Sequence, residues 1–209
     1  MLIDLHIRDD LLEYFPNFEY FNCVEPEKLD FTRADNLVGM QQEAFILYWI
    51  LKQLREHPGF GAGLDIGCGQ GSHPFTIGLN DYSGDCHPTY RGKYLPHVTS
   101  LAENADRIFN NDTFNFIVAS HILEHVEEPI LTFRKWCKLL RKDGIMILLM
   151  PDARYETPGI GSWDPTHKTF WTPNDFEKNC ILPNGDIIKP EIFDDLGNNF
   201  SFNFVGGRI

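Results

Sequence analysis

LDIGCGQGSHPFTIGLND, residues 64–81, is the stretch whose reading decides the fold. It belongs to a strand, Gly63 to Ile66, that runs into a glycine loop, Gly67-Cys68-Gly69-Gln70-Gly71. A second strand-like run, Phe75 to Leu79, arrives almost at once and is followed by Asp81. Two parallel strands need a crossover that returns the chain to the start of the next strand, and that crossover is usually a helix. Here only the eight residues Gly67 to Pro74 are available. Fully extended they reach about 26–29 Å, against roughly 17 Å for a five-residue strand. The return is feasible only without a real helix, so the sequence predicts no helix longer than one turn in this crossover.

The loop also points to a ligand. In an open α/β sheet ligands bind beyond the carboxyl ends of the strands, and glycines lacking Cβ let a ligand approach the backbone closely. A carboxylate after the second strand, Asp81, can accept both hydroxyl hydrogens of a ribose. The loop lacks the G-x-x-x-x-G-K-[ST] pattern of a P-loop. Pyrophosphate-binding folds rely on a helix N-terminus to hold anionic charge. Losing that helix disfavours NAD or FAD more than a ligand without phosphates.

Working outward, strands and helices alternate. A helix is predicted from Asn36 to Glu56, with Met40, Ala44, Leu47, Leu51 and Leu54 as one apolar stripe and Phe45, Ile46, Trp49 and Ile50 widening it. Strands follow at 63–66, 75–79, 95–99, 114–119 and 145–150. The last, IMILLM, is apolar on both faces, as a parallel strand covered by helices must be. The helix before it has Glu127-Glu128 and Pro129 at its start, Arg141-Lys142 at its end and Asp143-Gly144 beyond, all agreeing with one helix polarity. The tail, Ile187 to Phe193 and Phe200 to Val205, reads as a closing hairpin. The expected fold is therefore an open, mostly parallel α/β sheet with helices on both faces and an antiparallel C-terminal edge strand. One domain spans 1–209, with 1–60 as an N-terminal extension plus covering helix and 61–209 as the core.

Composition narrows the function. The 209 residues are 43% hydrophobic and 23% charged, enough for one soluble domain with a sizeable core. A net charge of −12 repels a phosphate backbone, which argues against nucleic acid as the main partner. No apolar run reaches membrane length and the N-terminal residues show no basic-then-apolar pattern, so neither a membrane span nor a secretory signal is expected. The five cysteines (Cys23, Cys68, Cys86, Cys137 and Cys180) form no C-x-x-C pair, which speaks against a disulfide framework and suits a reducing cytoplasm. The basic group Arg134, Lys135, Lys138, Arg141 and Lys142 reads as a solvated helix face rather than a docking patch. Tyr14, Phe15, Phe18, Tyr20 and Phe21 read as packing against the domain or a partner, with a substrate lid as the alternative.

LDIGCGQG, FNFIVASHILEHVEEP (114–129), LLRKDGIMILLMPD (139–152) and DPTHKTFWTPNDF (164–176) together resemble class I S-adenosylmethionine-dependent methyltransferases, Rossmann-like enzymes. The resemblance runs from about Leu64 to Phe176, and its cofactor carries no phosphate, in line with the missing helix. It implies that Asp65, Gly67, Cys68 (through its backbone), Gly69 and Gly71 surround the methionine and ribose of S-adenosylmethionine, with Asp81 on the ribose hydroxyls. Leu101 and Ala102 fall beside adenine, with Leu101 standing where the family usually has an acid. Ser120 and His121 line the pocket near the transferred methyl. The expected acceptor is a small molecule or glycan, methylated at oxygen. A hydroxyl acceptor would benefit from a general base, for which His167 is the first candidate and His121 the second. A homodimer is compatible with the sequence.

Two other readings compete. A cofactor-fold binding subunit without catalysis is suggested by Leu101 and the minimal crossover. His121-Ile122-Leu123-Glu124-His125 also fits the H-x-x-E-H of zinc hydrolases, where two histidines share a helix face. A catalytic zinc needs a third ligand, and nothing in the sequence singles one out; Glu191 is merely available. No metal is therefore expected, and His125 reads as structural. Asp164 could orient the His167 ring, or Asp164 and Thr166 could simply open a turn while Phe170 and Trp171 fill core.

Overall fold

The run 145–150 is covered on both faces. Alternate strand residues point to opposite sides, and the computed structural model sorts them accordingly. Ile145, Ile147 and Leu149 pack with helix α1 (Val38–Glu56), while Met146, Leu148 and Met150 join the larger apolar cluster on the other face. The structure describes residues 38–57, 63–69, 72–73, 75–80, 97–155, 164–185, 187–194 and 201–209. The aromatic segment before residue 38, Gly71, Asp81 and Cys86-His87 lie outside the described residues.

The strands are β1 (Gly63–Ile66), β2 (Thr76–Asn80), β3 (Val98–Thr99), β4 (Phe114–Ser120), β5 (Leu140–Pro151), β6 (Ile188–Asp194) and β7 (Ser201–Arg208). They form one sheet in the order β3-β2-β1-β4-β5-β7-β6. The pairs from β3 to β5 are parallel, and β7 is antiparallel to both β5 and β6. The C-terminal strand is antiparallel as expected, but it sits one place in from the margin, and β6 takes the edge. Helices α2 (Ala105–Ile108), α3 (Pro129–Leu139) and α4 (Pro173–Phe176) are the other described α-helices, with further helical turns at Ala102–Asn104, Leu123–His125, Glu177–Ile181 and Leu182–Asn184. Phe133 and Trp136 of α3 and Phe176 of α4 meet Ile117 and Ala119 of β4 and Phe202 and Phe204 of β7 in the larger cluster. Among the described residues no helix is long and apolar enough to cross a membrane.

The first crossover shows how the chain manages without a helix. Its described residues, 67–69, 72, 73 and 75, are all non-helical. Gly78 of β2 makes room for it: a Cβ there would lie 2.8 Å from Ser72 Cβ and 2.9 Å from Cys68 Sγ, so the crossover lies directly on the strand. Buried Asp65 ties it down, its Oδ2 accepting from the His73 backbone N–H at 2.7 Å and lying 2.8 Å from the ring Nδ1. A side-chain clamp thus does the positioning that helix packing normally does.

Two sequence expectations shift. Strand β2 begins at Thr76 rather than Phe75, because Phe75 turns through a left-handed conformation (φ +65°) and its carbonyl accepts from Gly63 N–H. Helix α3 stops at Leu139, so Arg141 and Lys142 of the basic group lie on β5 instead of ending the helix. Leu140 pairs with Phe114 in the sheet and is fully buried. Burying a leucine is worth about 1.5–3 kcal/mol, which outweighs the roughly 0.3–1 kcal/mol of a base at a helix C-terminus. On α1 the buried face is Phe45, Ile46, Trp49, Ile50 and Gln53; the side chains of Met40, Ala44, Leu47 and Leu51 lie outside the described residues. Gln53 is satisfied by donating to the Asn115 and Asp143 carbonyls and to Asn115 Oδ1.

Candidate active site at the carboxyl ends of the strands

The glycine loop leaves β1 by extending its ladder. Gly67 N–H and Cys68 N–H both donate to the Leu79 carbonyl, at 2.8 and 3.2 Å, and the Gly69 carbonyl accepts from Asn80 Nδ2 at 3.2 Å. Gly67 (φ +74°) and Gly69 (φ +56°) are both left-handed, but their surroundings differ. A Cβ on Gly67 would collide with Ile122, whereas one on Gly69 would meet no atom of a described residue within 4 Å. At Gly69 no described residue crowds the loop, and a ligand could lie against bare backbone there.

Strands β3 and β4 bring the next residues to the same end of the sheet. Ser100 N–H donates to the Asn80 carbonyl, and Leu101 then leads into a 3₁₀ turn at Ala102–Asn104. Ala102 is buried, its carbonyl held by the Trp136 indole N–H at 3.0 Å, while Leu101 is exposed. An exposed leucine beyond β3 offers an apolar face of the kind a purine ring packs on. Ser120 ends β4 half-buried, and His121 follows in a left-handed conformation (φ +52°), its N–H donating to the Leu149 carbonyl. Non-glycine residues held this way concentrate at functional sites.

Beyond His121 the chain does not form the single helix that a zinc-hydrolase motif requires. Only Leu123–His125 coil, as a 3₁₀ turn. Glu124 is fully buried, and neither of its carboxylate oxygens accepts a hydrogen bond from a described residue. Three imidazoles converge on its Oε1: His121 Nδ1 at 3.6 Å, His167 Nε2 at 3.9 Å and His125 Nε2 at 4.0 Å. The segment carrying His167 is fastened here by backbone bonds. Lys168 and Thr169 N–H donate to the Glu124 carbonyl, and Ala153 N–H, just past β5, donates to the Trp171 carbonyl.

Asp164 closes a turn. Its carboxylate accepts from the Thr166 N–H at 2.8 Å and hydroxyl at 2.7 Å, and its carbonyl accepts from His167 N–H. Those bonds from Thr166, the backbone one foremost, hold the Asp164 carboxyl below its usual value, with smaller attraction from His167 and His125 opposed by desolvation. The acid at the His167 ring is thus Glu124, while Asp164 turns to Thr166. Trp171 fills core as expected, but Phe170 is exposed. After β5, buried Asp152 takes the Arg154 guanidinium and backbone N–H, and Arg154 lies over the Tyr155 ring.

Of the residues expected around the cofactor, Asp65, Gly67, Cys68, Gly69, Leu101, Ala102 and Ser120 belong to the carboxyl ends of β1, β3 and β4 or the turns just beyond. Asp65 is committed to the His73 clamp. Nothing in the sequence singles out His73 or Asn80, and Glu124 stands out only through the H-x-x-E-H pattern; each acts through a partner that only the folded chain brings near. A cavity of about 380 Å³, bordered by Trp49, Gln53, Asp143 and Arg208, lies at the opposite end of the sheet, where β5 begins.

An open, mostly parallel sheet of this order, with a glycine loop at the carboxyl end of β1, is a Rossmann-like fold. The profile of the methyltransferase-domain family matches residues 39–180, and the chain belongs to that family. Its cofactor is S-adenosylmethionine. Solved structures share the fold at low identity. An S-adenosylmethionine-dependent methyltransferase from Archaeoglobus fulgidus is 14% identical with a TM-score of 0.56, covering 83% of this chain and 100% of its own. A protein from Pyrococcus horikoshii is 16% identical with a TM-score of 0.58, covering 91% and 99%. A putative methyltransferase from Listeria monocytogenes is 14% identical with a TM-score of 0.54, covering 81% and 99%. Comparison with curated proteins finds no match.

Proposed function

We propose that this methyltransferase acts on a hydroxyl oxygen of a small molecule or glycan. The observation that carries this is His121, an imidazole 35% exposed and held at φ +52° directly beyond β4. The bound cofactor supplies an electrophilic methyl on sulfonium. The protein's part is to align the acceptor oxygen and to take its proton. Gly67, Cys68 and Gly69 offer backbone to the cofactor, Leu101 and Ala102 flank its base, and Ser120 borders the reacting end. Asp81 and Gly71, outside the described residues, complete the set that the family resemblance implies.

Exposure favours His121 over His167 as the base. His167 is only 5% exposed, with its ring edge-on to His125 and Phe170, which suits positioning rather than proton exchange with an acceptor. The test is incubation with methyl-labelled S-adenosylmethionine and matched alcohols and amines, including free sugars and phenols, with NMR locating the label. A methyl ether is expected, and transfer confined to amines would overturn the oxygen assignment. His121→Ala should lower the rate with the best hydroxyl acceptor by about 10²–10⁴-fold and leave cofactor affinity nearly unchanged. Equal rates for parent and variant would remove the base role.

A further inference from the structure

Glu124 presents a problem in charge. A carboxylate removed from water normally collects hydrogen bonds or a cation. Both oxygens of Glu124 are buried and accept no hydrogen bond from a described residue, although three imidazoles surround one of them. The nitrogen–oxygen separations of 3.6–4.0 Å exceed the range of direct hydrogen bonds. They are close to another geometry. Two ligand atoms each 2.0–2.2 Å from a tetrahedral zinc ion stand about 3.4 Å apart. Glu124, His125 and His167 offer one ligand atom each, all within 4.8 Å of one another. Closing around an ion would need movements of about half an ångström.

The tautomer of His125 supports the same reading. Thr166 has one hydroxyl hydrogen, and it goes to Asp164 Oδ1, since a carboxylate can only accept. The Thr166 oxygen, 3.1 Å from His125 Nδ1, must then accept from that nitrogen. In the neutral ring this leaves Nε2, the atom nearest Glu124, with its lone pair exposed. Metal-ligating histidines are commonly oriented in this way, through a polar group on the other ring nitrogen. The backbone bonds from Lys168 and Thr169 to Glu124 hold the third ligand, His167, against the first two.

We propose that Glu124, His125 and His167 form a binding site for a divalent transition metal, zinc in class, with His121 beside its exposed side. Two imidazoles and one carboxylate suit a borderline ion. Three protein ligands leave a fourth position for an oxygen, from water or from a hydroxyl-bearing acceptor. The site does not depend on which acceptor is methylated. It differs from a zinc-hydrolase arrangement because its third ligand comes from beyond β5 and its first histidine stands outside the helical turn.

The experiment measures metal directly. Chelator-stripped full chain is titrated with zinc against a competing chromophoric chelator, and Tm is recorded with and without saturating zinc. About one equivalent should bind the parent and raise its Tm. Glu124→Gln and His167→Asn should weaken binding by at least about 100-fold and abolish the Tm shift, while calorimetry with S-adenosylmethionine shows the variants still folded. Should Glu124→Gln fail to fold, His125→Gln at the half-exposed rim carries the test. A parent that binds no zinc, or variants that bind as tightly as the parent, would overturn the proposal.

Discussion

Placing alanine at the two left-handed glycines of the loop should separate folding from cofactor binding. At Gly67 the new side chain meets two costs. A left-handed residue with a Cβ costs about 1–2 kcal/mol. The Cβ would also stand 2.8 Å from Ile122 Cβ and Cγ1, an overpacking that costs about 1–3 kcal/mol. Gly67→Ala should therefore lose about 2–5 kcal/mol of stability. Gly69→Ala carries only the backbone cost, about 1–2 kcal/mol, because its Cβ meets no described residue within 4 Å. Ligand affinity should order the residues differently. The larger Gly69→Val fills the space beside the loop, so it should remain folded yet lose most affinity for S-adenosylmethionine. Urea denaturation without ligand reads the first quantity and calorimetry the second. Equal stability losses at the two positions would refute the packing argument, and full affinity in Gly69→Val would refute the cradle.

Two further outcomes follow from titrating groups. Burial pushes the Cys180 thiol up to about 12, so only about one molecule in ten thousand carries the thiolate at pH 8. Iodoacetamide should leave Cys180 unlabelled in the folded protein and label it in urea; equal labelling by peptide mapping would contradict its burial. Asp164 has its carboxyl held below the ordinary 3.8 by Thr166. Such a group adds stability above its unfolded value, and that stability is lost as pH falls through the folded one. In chelator-treated protein, Asp164→Ala should therefore lower the urea midpoint at pH 7, and the gap to the parent should narrow below about pH 4. A gap independent of pH would mean that the turn matters only for its shape.

Much of the scaffold was legible because its signals are local. The run 145–150 announced a strand covered on both faces, and the eight-residue count announced a crossover with no helix longer than one turn. Where expectation and structure part, a distant partner decides. Phe114, from the neighbouring strand, draws Leu140 out of the helix that Arg141 and Lys142 would have extended. The glycine turn at Gly67 and Gly69 was legible because it rests on backbone alone, whereas side chains that meet across the chain were not. His125 and Thr166 are 41 residues apart. No spacing rule joins them, so H-x-x-E-H lacked its third ligand on paper, while the spacing within 164–167 pairs His167 with Asp164 rather than with Glu124.

The placement of β6 at the margin of the sheet also bears on how copies of this chain behave at high concentration. An exposed strand edge is a template for pairing with another molecule. This edge carries exposed Lys189 and Pro190 side by side, with the register slipping between Pro190 and Ile192. Proline has no N–H to offer an incoming strand, a lysine resists desolvation, and the irregularity twists the edge out of line. At the far margin the described part of β3 offers only two residues. As far as the described residues go, both borders of the sheet are thus poor templates for strand addition.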